Sequence, residues 1–445
     1  MSKSSRYIVR LILAFVDRFK LIFFVGIVLG IFSFIFLTIL IPRLPRQTQK
    51  VGVVGEFAAS NLPLDITRMI GTGLTTLDKS GQVRPAISVS WEASDSGKTW
   101  TFNIAKKIKW QDGTDVTSKD INYNFSDATV TKPDKYTIVF KLKTPLADFP
   151  VILSRPLFKQ GLLGVGEWKV TGLTLAGNFI ETLTLMNKSN DQMIFKFYPT
   201  ETRAKLAFEL GEIEKINDLT DTAPFNNWKT VNVTGTVDEQ RYVAVFFNTS
   251  SANDNILADK DVRQALLYGI DKSGWQSDRA FGPISPNSWA YNPSLKPYDL
   301  DVSHAKDLIS GSKIDPNMKK NLKITLTTVP GLLDVANKIA KDWKAIGVTA
   351  TIQVTSFVPD SYQAFLATSD IPIDPDQYTT WHSTQLQTNI TRYKNPRIDK
   401  LLEDGRLETD QTKRKSIYFD FQKFLVEDAP AAFLYYPTYY SVAKK

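Results

Sequence analysis

An α/β protein of two domains behind one transmembrane helix is the fold class that three features of the sequence predict. Strand-like and helix-like patterns alternate from residue 51 to the C-terminus, the mark of α/β layers. A chain of 445 residues is too long for one ordinary core and fits two domains plus an anchor. The run Leu21–Ile41, LIFFVGIVLGIFSFIFLTILI, has no charged residue, and about 20 apolar residues at helical rise span a hydrocarbon core.

The anchor comes first in the chain. A cleaved signal peptide has an apolar region of about 7–15 residues followed by small residues at the cut. This run is longer and exits into Pro-Arg-Leu-Pro-Arg with no Ala-x-Ala, and the chain has no cysteine on which a lipid anchor could be made. An uncleaved signal anchor is therefore expected. Lys3, Arg6, Arg10, Arg18 and Lys20 precede the span while Arg43, Arg46 and Lys50 follow it, which favours a cytoplasmic N-terminus over residues 1–20. Residues 42–50 read as a polar, proline-marked linker, and the extracytoplasmic part is expected from Val51. The same residues account for the charge. The whole chain carries +8, and the first fifty residues hold those eight cations against Asp17 alone, leaving the rest nearly neutral. A nucleic-acid binder should carry its basic patch on the folded domain, so that class is excluded.

Further along, Thr99–Ile104 and Lys135–Leu142 alternate with period two and read as strands. Between them, Lys109–Thr114 leads to an expected Thr-capped helix. Thr200 should cap a helix with Ala204, Leu206, Ala207 and Leu210 on one face. Ala258–Ile270 is another, with Val262, Ala265, Leu266 and Ile270 inward. Leu332–Ile346 has the clearest stripe, Val335, Ala336, Ile339, Trp343 and Ile346, stopped by Gly347. Asn395-Pro396 is an N-cap with proline at the first helical position, opening Arg397–Gly405. Asp410 opens a last helix to about Glu427, halted by Pro430.

Several short segments carry a resemblance. Gly73–Asp120 reads as a turn, a hairpin and a helix start, in the order GLTTLD, S-W-E, T-W-T-F-N-I and K-W-Q-D-G-T. Gly164–Val170, Ala204–Asp218, Phe246-Phe247-Asn248, Asp261–Leu266 with Gly269–Lys272, Lys323–Val354, Asp374-Pro375-Asp376 and Tyr393–Asp399 follow in order. Together they resemble the family 5 extracellular solute-binding proteins, the oligopeptide, dipeptide and nickel receptors of ABC importers. The resemblance implies a type II periplasmic-binding-protein fold, two α/β lobes joined by a hinge. One lobe would comprise 51–238 plus 431–445 and the other 239–430. Only Asn122–Pro133 separates the expected helix from the next strand, so the small subdomain that such proteins insert in the first lobe should be reduced. The resemblance further implies no enzymatic activity and no cofactor. The partners would be a peptide or other small solute, and the permease subunits to which it is delivered.

The residues themselves offer little for catalysis. There is no cysteine nucleophile, no H-E-x-x-H, no Gly-x-Ser-x-Gly and no P-loop. His304 reads as a surface helix residue, while His382 beside Trp381 is poised between packing and ligand contact. With two histidines and no cysteine, a bare transition metal has few ligands. A cleft asks instead for apolar and aromatic walls with a few fixed polar groups. The expected ligand-binding set is Gly73, Leu74 and Thr75 from the first lobe, with Asn248, Tyr378, Trp381 and His382 from the second. Peptide receptors of the family often hold the peptide amine with an aspartate in Asp-Tyr-x-Asp-Pro. Here Ile371-Pro372-Ile373-Asp374-Pro375 stands in that frame, so Asp370 is the candidate replacement. Arg263 reads as a structural helix-to-loop donor. Three other functions stay open: a ligand sensor signalling through the span, a membrane-anchored hydrolase, and an anchored structural module.

Overall fold

The structure, a computed structural model, describes residues 14–36, 47–250, 256–275 and 278–445. The strands in chain order are β1 (Thr48–Val54), β2 (Thr75–Leu77), β3 (Val83–Pro85), β4 (Ser88–Ser94), β5 (Thr99–Ile104), β6 (Ala128–Asp134), β7 (Thr137–Leu142), β8 (Lys169–Ala176) and β9 (Phe179–Met186). They continue as β10 (Gln192–Tyr198), β11 (Lys215–Leu219), β12 (Val231–Val237), β13 (Arg241–Phe247), β14 (Leu322–Thr328), β15 (Val348–Val354), β16 (Ala364–Asp370), β17 (Ala431–Tyr435) and β18 (Thr438–Lys444).

Two compact units divide the chain: residues to Asn61 with Glu167–Lys215, and Leu62–Gly166 with Ile216–Lys445. This differs from the expected division at 238/239. Residues 62–166 group with the later part of the chain because backbone bonds join them, Ala147 N donating to Arg406 O and Trp289 N to Ser80 O.

In the first unit β1 pairs in parallel with β10, and β10, β9 and β8 continue antiparallel. β1 starts at Thr48, so the folded part begins inside the expected linker, three residues before Val51. The helix Glu201–Glu209 is capped as expected, Thr200 accepting from Arg203 N at 3.3 Å. Its inner face is Ala204, Ala207 and Phe208, whereas Leu206 and Leu210 are 53% and 68% exposed. Each leucine lies two residues past an inward one, about 200° round the helix, and Phe208 fills the space instead. The apolar helix Lys20–Ile35 has sixteen residues, with Leu21, Phe24 and Phe32 exposed. Among the described residues no helix is long and apolar enough to cross a membrane. Residues 37–41 of the expected span, 1–13 of the expected cytoplasmic tail and 42–46 of the linker lie outside the described residues.

The second unit holds two separate cores. The smaller belongs to the antiparallel sheet β4-β5-β7-β6, preceded by the β2–β3 hairpin. The subdomain is thus a sheet with a core of its own. Trp100, Phe102, Phe140 and Phe149 fill it, the Phe140 and Phe149 rings 5.1 Å apart edge to face. The expected Thr-capped helix is one 3-10 turn, Ser118–Asp120, closed by a reciprocal capping box between Thr117 and Asp120. The helix stops there because Ile121, Tyr123 and Phe125 pack into this core at alternate positions, a period-two pattern that a helix cannot present.

The larger core surrounds the sheet β15-β14-β16-β13-β17, in which β14 runs parallel to β15 and β16 while β13 is antiparallel to β16 and β17. Helix Leu333–Ala345 buries Ala336, Ile339 and Trp343, and Gly347 ends it at φ +87°. Trp343 Nε1 donates to Leu266 O at 3.0 Å, tying it to helix Lys260–Tyr268, where Val262, Ala265 and Leu266 point inward with Ile270. Arg263 donates to the carbonyls of Leu257, Ala258, Asp428 and Ala429. Lys272 donates to those of Leu267, Ile270 and Tyr298. The Asp261–Lys272 motif is therefore a structural lock that satisfies carbonyls a helix end leaves orphaned. Helices Pro396–Leu407 and Gln411–Asp428 follow, N-capped by Asn395 and Asp410. The C-terminal run then divides at Pro437, which has no N–H to continue a ladder. Ala431–Tyr435 pairs with β13, and only Thr438–Lys444 pairs with β12, so β17 completes the five-stranded sheet and not the expected first lobe.

At Gly73 an added Cβ would overlap the carbonyl oxygen of Leu153, whereas at Gly331 it meets nothing within 4 Å. Gly73→Ala should lower the unfolding free energy by about 1–3 kcal/mol, and Gly331→Ala should change it by no more than about 0.5 kcal/mol, both read by chemical denaturation.

Candidate ligand-binding site

Ligands of open α/β sheets bind outside the carboxyl ends of the parallel strands. β16 ends at Asp370, and the chain continues through Ile371, whose N–H donates to Gln240 O at 2.7 Å, to Ile373. There it meets the turn of the β2–β3 hairpin. A cavity of about 200 Å³ lies between them, walled by Leu77–Gly81 and Arg68 on one side and by Gln240, Ser285–Ser288 and Ile373 on the other. One wall lies on the chain segment that carries the smaller core and the other on the segment that carries the larger.

The hairpin turn is rigid for local reasons. Asp78 Oδ1 accepts from Ser80 N (2.9 Å), Ser80 Oγ (2.7 Å) and Gln82 N (3.0 Å), and Oδ2 accepts from Arg84 Nε (2.9 Å). The Ser80 hydroxyl, with Arg84 and the two backbone donors, brings the Asp78 carboxyl down to about 2. Gly81 sits at φ +76°, a conformation glycine takes without strain. A side chain there would press on the Ile373 carbonyl at 3.0 Å. On the opposite wall the Ser285 hydroxyl accepts from Asn287 N, and Asn287 Nδ2 donates to Glu239. Arg68 stands exposed at the rim, its guanidinium in no hydrogen bond or ion pair among the described residues. The cavity thus offers serine, asparagine and glutamine groups, the apolar side chains of Leu77 and Ile373, and two uncommitted cations, Arg68 and the exposed Lys79. Its only acid, Asp78, is already saturated with donors.

Two larger cavities, of about 710 and 700 Å³, both border Asn248 and Ser250. They lie at the other end of the sheet: Arg241 opposes Asp370 and Phe247 opposes Ala364, so Asn248 and Asp370 are roughly 20 Å apart at about 3.3 Å per residue. Position, rather than volume, favours the smaller cavity, since there the β2–β3 hairpin meets the segment that follows β16.

The structure separates the expected ligand set. Gly73 and Leu74 hold the small sheet together, their carbonyls accepting from Ile87 N and Ser88 N, and Thr75 Oγ1 donates to Pro150 O at 2.6 Å. All three are buried, and the cavity begins two residues further on, at Leu77. Asn248 is spent on Tyr362 O and Ser250 N. Asp370 is an exposed carboxylate paired with Arg241 Nε at 2.8 Å, the contact that raises the pKa of Arg241. Trp381 is 1% exposed with its ring 6.5 Å from Phe246, a core residue on the sheet and not a pocket wall. His382 is also buried, stacked on Tyr378 at 4.0 Å, with Nδ1 2.8 Å from Thr384 Oγ1 and Nε2 3.3 Å from Glu403 Oε1. Tyr378 carries the Arg406 guanidinium on its other side at 3.9 Å. No group of three His, Asp or Glu side chains suited to a metal occurs among the described residues. Sequence patterns missed Arg68 and Ser285 altogether; the D-K-S-G turn at 78–81 was the one signal that could have pointed to the wall.

The other two acids of the Ile373–Asp376 segment are committed too. Arg414, on helix Gln411–Asp428, makes a two-pronged pair with Asp374 at 2.6 and 2.8 Å, and Arg406 Nε meets Asp376 at 2.7 Å. Burial works against the Arg414 charge, but the Asp374 carboxylate outweighs it and raises the pKa.

Comparison with known proteins accords with this architecture. The family model of bacterial extracellular solute-binding proteins, family 5 Middle, matches residues 82–172 and 186–389, more than half of the chain. The oligopeptide-binding protein AppA of Bacillus subtilis is 25% identical, the match covering 87% of this chain and 86% of AppA. The structure of NikZ from Campylobacter jejuni in complex with Ni(L-His) superposes with a TM-score of 0.71 at 21% identity, over 90% of this chain and 95% of NikZ. That of Bacillus subtilis AppA in complex with a nonapeptide superposes with a TM-score of 0.67 at 22% identity, covering 90% of this chain and 95% of that one. Proteins of this family bind solutes and are not enzymes. The chain belongs to the bacterial extracellular solute-binding proteins, family 5.

Proposed function

We propose that this chain is the membrane-anchored, extracytoplasmic receptor of an ABC importer, and that it captures a short peptide for delivery to a permease. The observation that carries the reading is the cavity at the carboxyl end of β16, closed from opposite sides by segments of two separately cored bodies. Relative movement of those bodies opens and closes it, and a ligand favours closure by its higher affinity for the closed state. The relatives named for oligopeptide binding support peptide as the solute.

The acids around the cavity are engaged: Asp78 by the hairpin, Glu239 by Asn287, Asp370 by Arg241, Asp374 by Arg414 and Asp376 by Arg406. Free-amine capture by a carboxylate therefore has no donor-free acid to use, and recognition rests on the uncommitted Arg68 and Lys79 and on the serine, asparagine and glutamine groups. Arg68 suits the peptide's terminal carboxylate, which a guanidinium can hold with two parallel hydrogen bonds. Gly73–Thr75 act one step behind, fixing the hairpin that carries the wall. The anchor at Leu21–Ile41 keeps the receptor beside its permease, raising effective concentration as a tether does.

Calorimetric titration of the full chain in detergent with tri- to pentapeptides should show binding, and Arg68→Ala should weaken it about tenfold, the scale of one charge-assisted hydrogen bond. C-terminally amidated peptides should bind both proteins alike. Equal affinity of the two proteins for free-acid peptides would remove Arg68 from recognition. Alkaline extraction of membranes tests the anchor: the chain should stay in the pellet, and its release to the supernatant would contradict a spanning segment.

A further inference from the structure

The four-stranded sheet meets the larger core at a buried group of charges that the binding cavity does not use. Ala147 N donates to Arg406 O at 2.7 Å, which sets the next residue, Asp148, against the core. Its Oδ1 is buried and has no hydrogen-bond partner. The charged groups that face it are Asp374 and Asp376 from the segment after β16, Arg406 from helix Pro396–Leu407, and Arg414 from helix Gln411–Asp428, with Tyr418 one turn along that helix. The two arginines are already engaged, Arg414 with Asp374 and Arg406 with Asp376. An ionised Asp148 would be a third carboxylate among two cations, with no donor for its buried Oδ1. A buried anion of that kind is neutralised by taking up a proton.

We propose that docking of the four-stranded sheet onto the larger core is coupled to the uptake of one proton from solvent by the Asp148 carboxylate, so that closure of the cavity is proton-linked. The inference rests on the two-body closure argued under the proposed function and adds its regulation. Burial first, and then the charges of Asp374 and Asp376, lift the Asp148 carboxyl from its ordinary 3.8 to about 7 in the docked state. Undocked, Asp148 leaves these neighbours and titrates as an ordinary carboxylate. The docked state therefore holds more protons between about pH 4 and pH 7. Docking is strongest at the acid end, weakens as pH rises through that window by up to about tenfold per pH unit, and levels off above it. A receptor built this way closes more readily in acidified surroundings.

The absence of cysteine from the chain allows a clean measurement. Spin labels on Glu92→Cys in the small sheet and Lys415→Cys on the core would report their separation in the full chain in detergent, between pH 4.5 and 8.5, with and without a tripeptide mixture. The expected result is a docked population that falls with pH in the wild-type background. It should be flat with pH in Asp148→Asn, where the amide never carries charge. Asp376→Asn removes one repelling carboxylate and should move the wild-type transition to lower pH, a check that does not depend on the first variant folding. A pH profile of Asp148→Asn that matches wild type overturns the proposal. So does a wild-type distance that responds to peptide and not to pH, which leaves cavity closure intact. A distance that responds to neither overturns the two-body closure itself and the proton linkage with it.

Discussion

The pair between Arg414 and Asp374 holds the end of the larger core beside the cavity in place. The guanidinium is buried and spends its donors on both Asp374 oxygens, on Gly405 O and on Tyr418 Oη. One side chain thereby joins helix Gln411–Asp428, the C-terminal end of helix Pro396–Leu407 and the turn that begins right after the cavity wall at Ile373. Gly405 allows the approach, since a Cβ there would lie 2.8 Å from the Tyr418 ring. Such a pair is not a large net source of stability, because taking two charges out of water offsets most of their attraction. Its effect is on geometry. With either partner missing, a lone buried charge would cost about 3–5 kcal/mol, and the turn after Ile373 would lose one of the contacts that fix it.

The small sheet depends on the same group of charges. Its contact at Ala147 and Asp148 falls between the Arg414 and Arg406 pairs, and its hairpin turn meets the core at Ser80 and Gly81. One contact lies among the charges and the other borders the cavity.

Much of the fold was legible in the sequence because it rests on local physics. The stripe at Ala336, Ile339 and Trp343, the stop at Gly347 and the caps at Thr200, Asn395 and Asp410 are each set by neighbours within a turn or two. The failures have a common cause. Thr117 began a capping box as helices do, yet Tyr123 and Phe125 were claimed by a core formed with distant strands. Leu206 and Leu210 lost their places to Phe208 through packing that spacing alone does not rank. Trp381 and His382 looked like pocket residues in a turn-rich segment, but Phe246 and Glu403, far away in the chain, bury them. The cavity was invisible for the same reason: Arg68, Ser80, Ser285 and Ile373 share no motif and come together only through the fold.

The proposed function requires that the chain carry a solute, most specifically a peptide. Native mass spectrometry of the purified full chain in detergent, followed by denaturation and identification of what is released, tests it most directly. A ladder of short peptides, each bound one to a chain, is the predicted result. A protein that releases nothing, and whose melting does not respond to peptide libraries, would contradict it.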